Sequence, residues 1–202
     1  MKNIRIRKGR PEDGRHFSEL VVMTSPLLMP CIFGSKVKKI MKKIFTHKGH
    51  LYSFDRSYFI EIDGKVAGMA LLHKLLGRKR DKNRITLLLL KYMNWRLPLR
   101  VNGLLKSERL IKESAGTECY LSNIAVYPEF RSMGIGTKLL EIVEREVRAI
   151  GKKKIVLNAE SYNKRAISLY ERLGYSMESK NPVLKIRNRI FESFTFVKSV
   201  AS

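Results

Sequence analysis

The chain has 202 residues, 44% of them hydrophobic, and carries 41 Lys plus Arg against 18 Asp plus Glu, a net charge of +23. That length is enough to bury a sizeable core, and one domain, 1–202, is the default expectation. Cys31 and Cys119 are the two cysteines; with no Cys-x-x-Cys and no Cys/His cluster at metal spacing, neither a disulfide framework nor a structural zinc site is indicated, no metal is expected, and a cytoplasmic location fits.

The positive charge favours anionic ligands, RNA, acidic proteins or anionic membranes as partners. Its spread from Lys2 to Lys198 reads as a generally basic surface rather than a nucleic-acid arm. Charges fill the first fifteen residues where a signal peptide would be apolar, and Pro26 and Pro30 break the run at 20–33, so no transmembrane segment is expected. The absence of glutamine, with plentiful Lys, Arg and Ile, is a balance found in heat-adapted proteins.

In chain order, Ile4 and Ile6 alternate with basic residues as in a strand, and Pro11-Glu12-Asp13 opens a helix through His16, Leu20 and Val21. A second helix is expected at 36–45, where Val37, Ile40, Met41 and Ile44 recur at helical spacing. Tyr58, Ile60 and Ile62 alternate, Asp63-Gly64 favours a type I′ turn, and 66–73 resumes an apolar run, which together read as a hairpin. Residues 77–117 then interrupt as a mostly helical insertion, with the charge run 78–82, an apolar run at 85–90, Trp95, Pro98 and a helix-like 104–113.

From Cys119 onward the signals are regular: strand 120–127, turn 128–132, helix 137–150 closed by Gly151, strand 154–157, helix 163–172 closed by Gly174, and a last strand at 191–198. Hairpins first and strand-helix units later give an α+β class, α/β in some schemes. The expected sheet is mixed and mostly antiparallel, flanked by helices, with the helical insertion before the fourth strand.

Arg131-Ser132-Met133-Gly134-Ile135-Gly136 joins an apolar strand to a helix whose Leu139, Leu140, Val143, Val147 and Ile150 share one face. Backbone N–H groups at a helix start have no intrahelical acceptor and sit at the positive end of the dipole, so they bind phosphate oxygens. Arg131 adds a fixed positive charge, and a diphosphate is a natural occupant. Neither the dinucleotide Gly-x-Gly-x-x-Gly pattern nor the Gly-Lys-[Ser/Thr] ending of a triphosphate loop is present.

The run Asn-Ile-Ala-Val-x-Pro-x-x-Arg-x-x-Gly-x-Gly from Asn123 to Gly136, followed by Asn158, Asn163, Ala166 and Leu169-Tyr170-Glu171-Arg172-Leu173-Gly174-Tyr175, resembles the GNAT superfamily of N-acetyltransferases. Within it, Asn-Ile-Ala-Val is similar to the ribosomal-protein N-terminal alanine acetyltransferases. The resemblance implies direct transfer of acetyl from acetyl-coenzyme A to an amine, with the cofactor wedged between the fourth and fifth strands. It implies that the backbone of Ile124, Ala125 and Val126 meets the pantetheine arm, and that Arg131, Ser132, Met133, Gly134, Ile135, Gly136 and Thr137 hold the pyrophosphate. Asn158 and Asn163 would complete the cofactor site from the fifth strand and the next helix.

An amine acceptor must lose a proton before it attacks, since a lysine titrates near about 10.4 and an α-amine near about 8. Glu118, at the start of the fourth strand, is the expected base, by resemblance to lysine acetyltransferases of the family; in the alanine acetyltransferases that glutamate falls where this chain has Asn158. Tyr170 is the expected acid for the departing thiolate. The acceptor would be a protein N-terminus, a lysine or a small amine, with a dimer one option for the oligomeric state. The competing reading is an RNA- or ribosome-associated basic binding module, from the net charge and the basic residues around 78–82 beside Tyr92 and Trp95.

Overall fold

A computed structural model of the chain describes residues 3–74, 79–93, 117–186 and 188–200. Strand β1 (Ile4–Lys8) leads through a 3-10 turn (Pro11–Asp13) into helix α1 (Gly14–Thr24). Arg7 ties that turn to the sheet, donating to both Asp13 carboxylate oxygens at 2.6 and 2.7 Å and to Glu61 at 2.6 Å. Helices α2 (Leu28–Phe33) and α3 (Val37–Phe45) follow. Strands β2 (Ser57–Ile62) and β3 (Lys65–His73) then form the expected hairpin, its turn residues Asp63 and Gly64 both at positive φ, 49° and 78°.

Helix α4 (Lys79–Met93) is the described part of the insertion; the helix-like 104–113, Trp95 and Pro98 lie outside the described residues. Its Ile85, Leu88, Leu89 and Met93 are buried, and Asp81 near its start accepts from Arg56 at 2.6 Å. The rest of the chain is β4 (Glu118–Val126), α5 (Ile135–Ala149), β5 (Lys154–Glu160), α6 (Lys164–Arg172), β6 (Ser176–Lys180), β7 (Leu184–Ile186), β8 (Arg189–Phe191) and β9 (Ser193–Ser199).

The main sheet runs β1-β2-β3-β4-β5-β9-β6; β4 and β5 are parallel and the other neighbours antiparallel, while β7 and β8 pair separately. One face is covered by α1 to α4 and the small hairpin, around Phe17, Phe45, Phe59 and Met69; the other by α5 and α6, around Leu139, Leu140, Val143 and Leu157. Phe17 stacks on Phe45 with ring centroids 4.2 Å apart, locking α1 to α3. This is the mixed, mostly antiparallel α/β architecture expected, with helices on both faces.

Several boundaries differ from expectation. The last strand divides, β8 ending at Phe191 and β9 starting at Ser193. Strand β5 runs on to Glu160 because β9 continues to pair with it, Glu160 opposite Ser193. Helix α2 tolerates Pro30 because a proline in the first turn lacks only an N–H that would have had no intrahelical acceptor.

His50 is fully buried, its Nε2 3.1 Å from the Ile44 carbonyl and its Nδ1 accepting from the Tyr52 N–H at 3.1 Å, a neutral tautomer with both nitrogens used. Burial pulls it down to about 4, and burial likewise pulls His73 down to about 3. An unfolded histidine titrates near about 6.5. Below that pH the unfolded chain therefore binds protons the folded chain refuses, and stability falls as pH drops. The urea midpoint should be flat from pH 8 to 7 and decline steadily through pH 6.5 to 4. His50→Gln should be less stable at pH 7 yet show a shallower decline.

Candidate functional site

The β4–β5 ladder runs from Glu118 opposite Lys154 to Leu121 opposite Leu157 and stops there, although β4 continues to Val126 and β5 to Glu160. Beyond that point each strand keeps only its outer neighbour, β3 or β9. The sheet is split at its one parallel pair. On the β3 side the register steps from Leu72 opposite Leu121 to Leu71 opposite Asn123, making Ser122 the extra residue of a bulge at the mouth of the split.

The backbone facing the split is fixed by the β3 register. Tyr127 N–H donates to the Ala67 carbonyl at 2.9 Å, across the Gly68–Val126 pair. In an antiparallel ladder this makes Gly68–Val126 a non-hydrogen-bonded pair, so the N–H and C=O of Val126 point away from β3, into the split. By alternation those of Ile124 do the same, while those of Ala125 face β3. The Arg131 Nε donates to the Val126 carbonyl at 3.2 Å.

A polar chain braces the bulge. The neutral His73 ring places Nε2 2.9 Å from Ser122 Oγ and Nδ1 3.4 Å from Arg56 Nη1. Ser122 Oγ donates to Asn123 Oδ1 at 3.0 Å, Asn123 Nδ2 to Thr24 Oγ1 at 2.8 Å, and Thr24 Oγ1 to the Val21 carbonyl at 2.7 Å. Donors and acceptors alternate consistently along it, so the end of α1 is tied to the opened strand.

The turn from Arg131 to Gly136 stands at the C-terminal end of β4. Ser132 and Gly134 both adopt positive φ, 61° and 74°. Gly134 is the N-cap of α5, and no side chain caps that start, leaving the first-turn N–H groups of Ile135, Gly136 and Thr137 facing outward. A Cβ on Gly136 would stand 3.0 Å from Leu169 Cδ2, so its lack of a side chain admits α6. Arg165 Nη2 donates to Ser132 Oγ at 3.2 Å, which brings a second guanidinium to the turn beside Arg131. The start of α6 differs: Asn163 Oδ1 accepts from the Ala166 N–H at 3.2 Å and caps its own helix.

Tyr170 is buried between Tyr175 and Phe196, and burial pushes its phenol well above the ordinary range, so it stays protonated. Asn158 lies on β5 just past the last β4 pair, its Oδ1 3.0 Å from Thr195 Oγ1. The structure thus gathers Ile124, Val126, the Arg131–Thr137 turn, Asn158, Asn163 and Tyr170 around one end of the sheet. Glu118 is not among them: it lies at the opposite end of the ladder, Oε1 3.4 Å from Lys154 Nζ, which also binds Glu178 at 2.8 Å. Arg165, His73 and Ser122 belong to the site and were not singled out from sequence; Arg165 could have been, as a cation two residues after Asn163.

The model of the acetyltransferase (GNAT) family matches residues 27–175, and the chain belongs to that family. N-alpha-acetyltransferase 30 of Schizosaccharomyces pombe is 39% identical over 56 residues, 28% of this chain and 37% of the relative; the chain thus spans little more than a third of that protein's length. Among solved structures, an acetyltransferase at 24% identity has a TM-score of 0.67, covering 98% of this chain and 100% of its own. The Escherichia coli ribosomal-protein-S18-alanine N-acetyltransferase has 0.60 at 16% identity, covering 99% and 96%. YncA of Salmonella typhimurium, solved with its cofactor acetyl-CoA, has 0.59 at 15%, covering 98% and 95%.

Gly134, at φ 74°, has nothing within 4 Å of the place a Cβ would occupy, so a substitution there meets backbone strain rather than a clash. Gly134→Val should cost about 1–2 kcal/mol in urea unfolding, as a β-branched residue forced left-handed does.

Proposed function

We propose that the chain is an acetyl-coenzyme A-dependent N-acetyltransferase that moves acetyl directly onto an amine, whether a protein N-terminus, a lysine or a small amine. The observation that carries this reading is the meeting of two anion- and amide-seeking features: the inward-facing backbone of Ile124 and Val126 in the β4–β5 split, and the uncapped start of α5 between Arg131 and Arg165. A strand edge suits the amides of a pantetheine arm, and the turn suits a diphosphate.

Bound acetyl-coenzyme A supplies an activated thioester that a neutral amine can attack. The residues of the chain do the rest. Ile124 and Val126 orient the arm through their N–H and C=O groups; the first-turn N–H groups and the two arginines hold the diphosphate. Tyr170 keeps its proton in a dry setting and can pass it to the departing thiolate. Glu118, held by Lys154 at the far end of the ladder, would act on the amine through water rather than by contact. The finer likeness to alanine acetyltransferases is supported by the Asn123–Val126 run, with Asn158 standing where their base glutamate falls.

Acetyl-coenzyme A at about 100 times its Kd should stabilise the protein by about 2.7 kcal/mol, read as a raised Tm. The absence of any shift at saturation would defeat the proposal. Arg131→Glu should abolish most of that shift while leaving the apo Tm near wild type. Tyr170→Phe should lower kcat by about 100-fold, with acetyl-coenzyme A affinity unchanged, in a coenzyme A-release assay over a panel of amines.

A further inference from the structure

Helices α3 and α4 pack against each other through buried apolar residues and turn a strongly basic surface outward. On α3, Lys38, Lys39, Lys42 and Lys43 are all exposed, and the helix holds no acidic residue. Exposed Lys36 and Lys48 extend the surface beyond its two ends. On α4 the exposed cations are Arg80, Arg84 and Lys91, while its one acidic residue, Asp81, is buried against Arg56.

The two helices share this surface. Lys43 of α3 and Lys91 of α4 lie over the same Tyr92 ring, 5.4 and 5.6 Å from its centroid. His47, with Nε2 2.8 Å from the Tyr92 hydroxyl, is pulled below its ordinary range by burial and then by the charges of Lys91 and Arg84. Cations elsewhere on the chain are neutralised: Arg7 by Asp13, Lys154 by Glu178, Lys198 by Glu144. Lys38, Lys39, Lys42, Lys43, Arg84 and Lys91 have no such ion pair among the described residues. Lys38 and Lys42, like Lys39 and Lys43, repel each other at i,i+4, a cost that an anionic partner would relieve.

The same surface carries apolar groups that charge alone does not explain. Leu88 and Leu89 are buried, but Leu87 is 65% exposed and Leu90 49%. Arg84 stands three residues before Leu87, Leu90 three after it and Lys91 four after it, so cations and leucines form one stripe along α4. A nucleic acid would use the cations and waste the leucines, since bases stack on aromatic rings, and the Tyr92 ring is already taken up by two lysines. A bilayer surface uses both kinds: headgroup phosphates meet the cations and the acyl boundary meets the leucines.

We propose that α3 and α4 form a docking surface for an anionic lipid bilayer, with the lysines on the headgroups and Leu87 and Leu90 entering the acyl boundary. Among the described residues no helix is long and apolar enough to cross a membrane, so the contact is peripheral. The surface lies on the face of the sheet opposite α5, and it leaves the uncapped start of that helix free for its own ligand.

The test is co-sedimentation of the full chain with vesicles of phosphatidylcholine and of an equimolar mixture of phosphatidylcholine and phosphatidylglycerol. Wild type should partition at least about tenfold more strongly onto the anionic vesicles. The double variant Leu87→Gln/Leu90→Gln should lose at least about fivefold of that partitioning, and Lys39→Glu/Lys42→Glu at least about tenfold. Arg145→Glu/Arg148→Glu makes the same change of net charge on exposed residues of α5 and should lose less than about twofold. All these side chains are exposed, so each variant should melt within a few degrees of wild type. Equal partitioning onto the two vesicle types, no partitioning onto either, or full retention by the leucine variant overturns the assignment. An equal loss in the α5 variant also overturns it, as it marks the attraction as that of a generally basic chain. Polyuridylate at matched phosphate concentration should leave wild type on the vesicles; its removal by the RNA would make the surface one for nucleic acid instead.

Discussion

A β-sheet gains its stability by pairing every backbone group of its inner strands, and here two neighbouring inner strands stop pairing midway. Past Leu121 and Leu157 the inner edges of β4 and β5 diverge, exposing backbone donors and acceptors that sheet burial would ordinarily forbid. The surrounding structure exists largely to tolerate that opening. The Ser122 bulge turns β4 aside, the His73–Ser122–Asn123–Thr24 chain anchors the turned segment to α1, and Arg131 meets the carbonyl of Val126. Tyr127 donates to Glu19 at 2.6 Å, so the strand is held by α1 again just past its end.

Electrostatics divides the opening into two regions of opposite preference. At the turn, the dipole of α5 and the guanidiniums of Arg131 and Arg165 reinforce one another and welcome an anion. At the end of β5 sits the carboxylate of Glu160, its oxygens shut off from solvent. A basic chain thus concentrates positive potential where a diphosphate would lie and reserves negative charge for the other side of the sheet.

The parts legible in the sequence are those dictated by local chemistry. Asp63-Gly64 dictates its turn, Gly134 its left-handed cap, Asn163 its own helix start, and the apolar stripe from Leu139 to Val147 its buried face. What escaped depends on neighbours distant in sequence. Ser-Met-Glu-Ser-Lys at 176–180 has no alternation of its own and becomes β6 because β9 offers an edge. The division at Glu192 follows from β8 pairing with β7 while β9 pairs with β5 and β6. The pairing of Glu118 with Lys154 belongs here too, since the parallel partner strand that brings Lys154 against it could not be read from its own segment.

The contact between Gly136 and Leu169 links the two helices that flank the opening. With only 3.0 Å between Leu169 Cδ2 and the place a Cβ would occupy, α5 and α6 approach too closely to slide past each other without lifting apart. Leu169 is the residue before Tyr170. The spacing between the start of α5 and the buried phenol is therefore set like a ruler by one methyl group seated on a bare backbone.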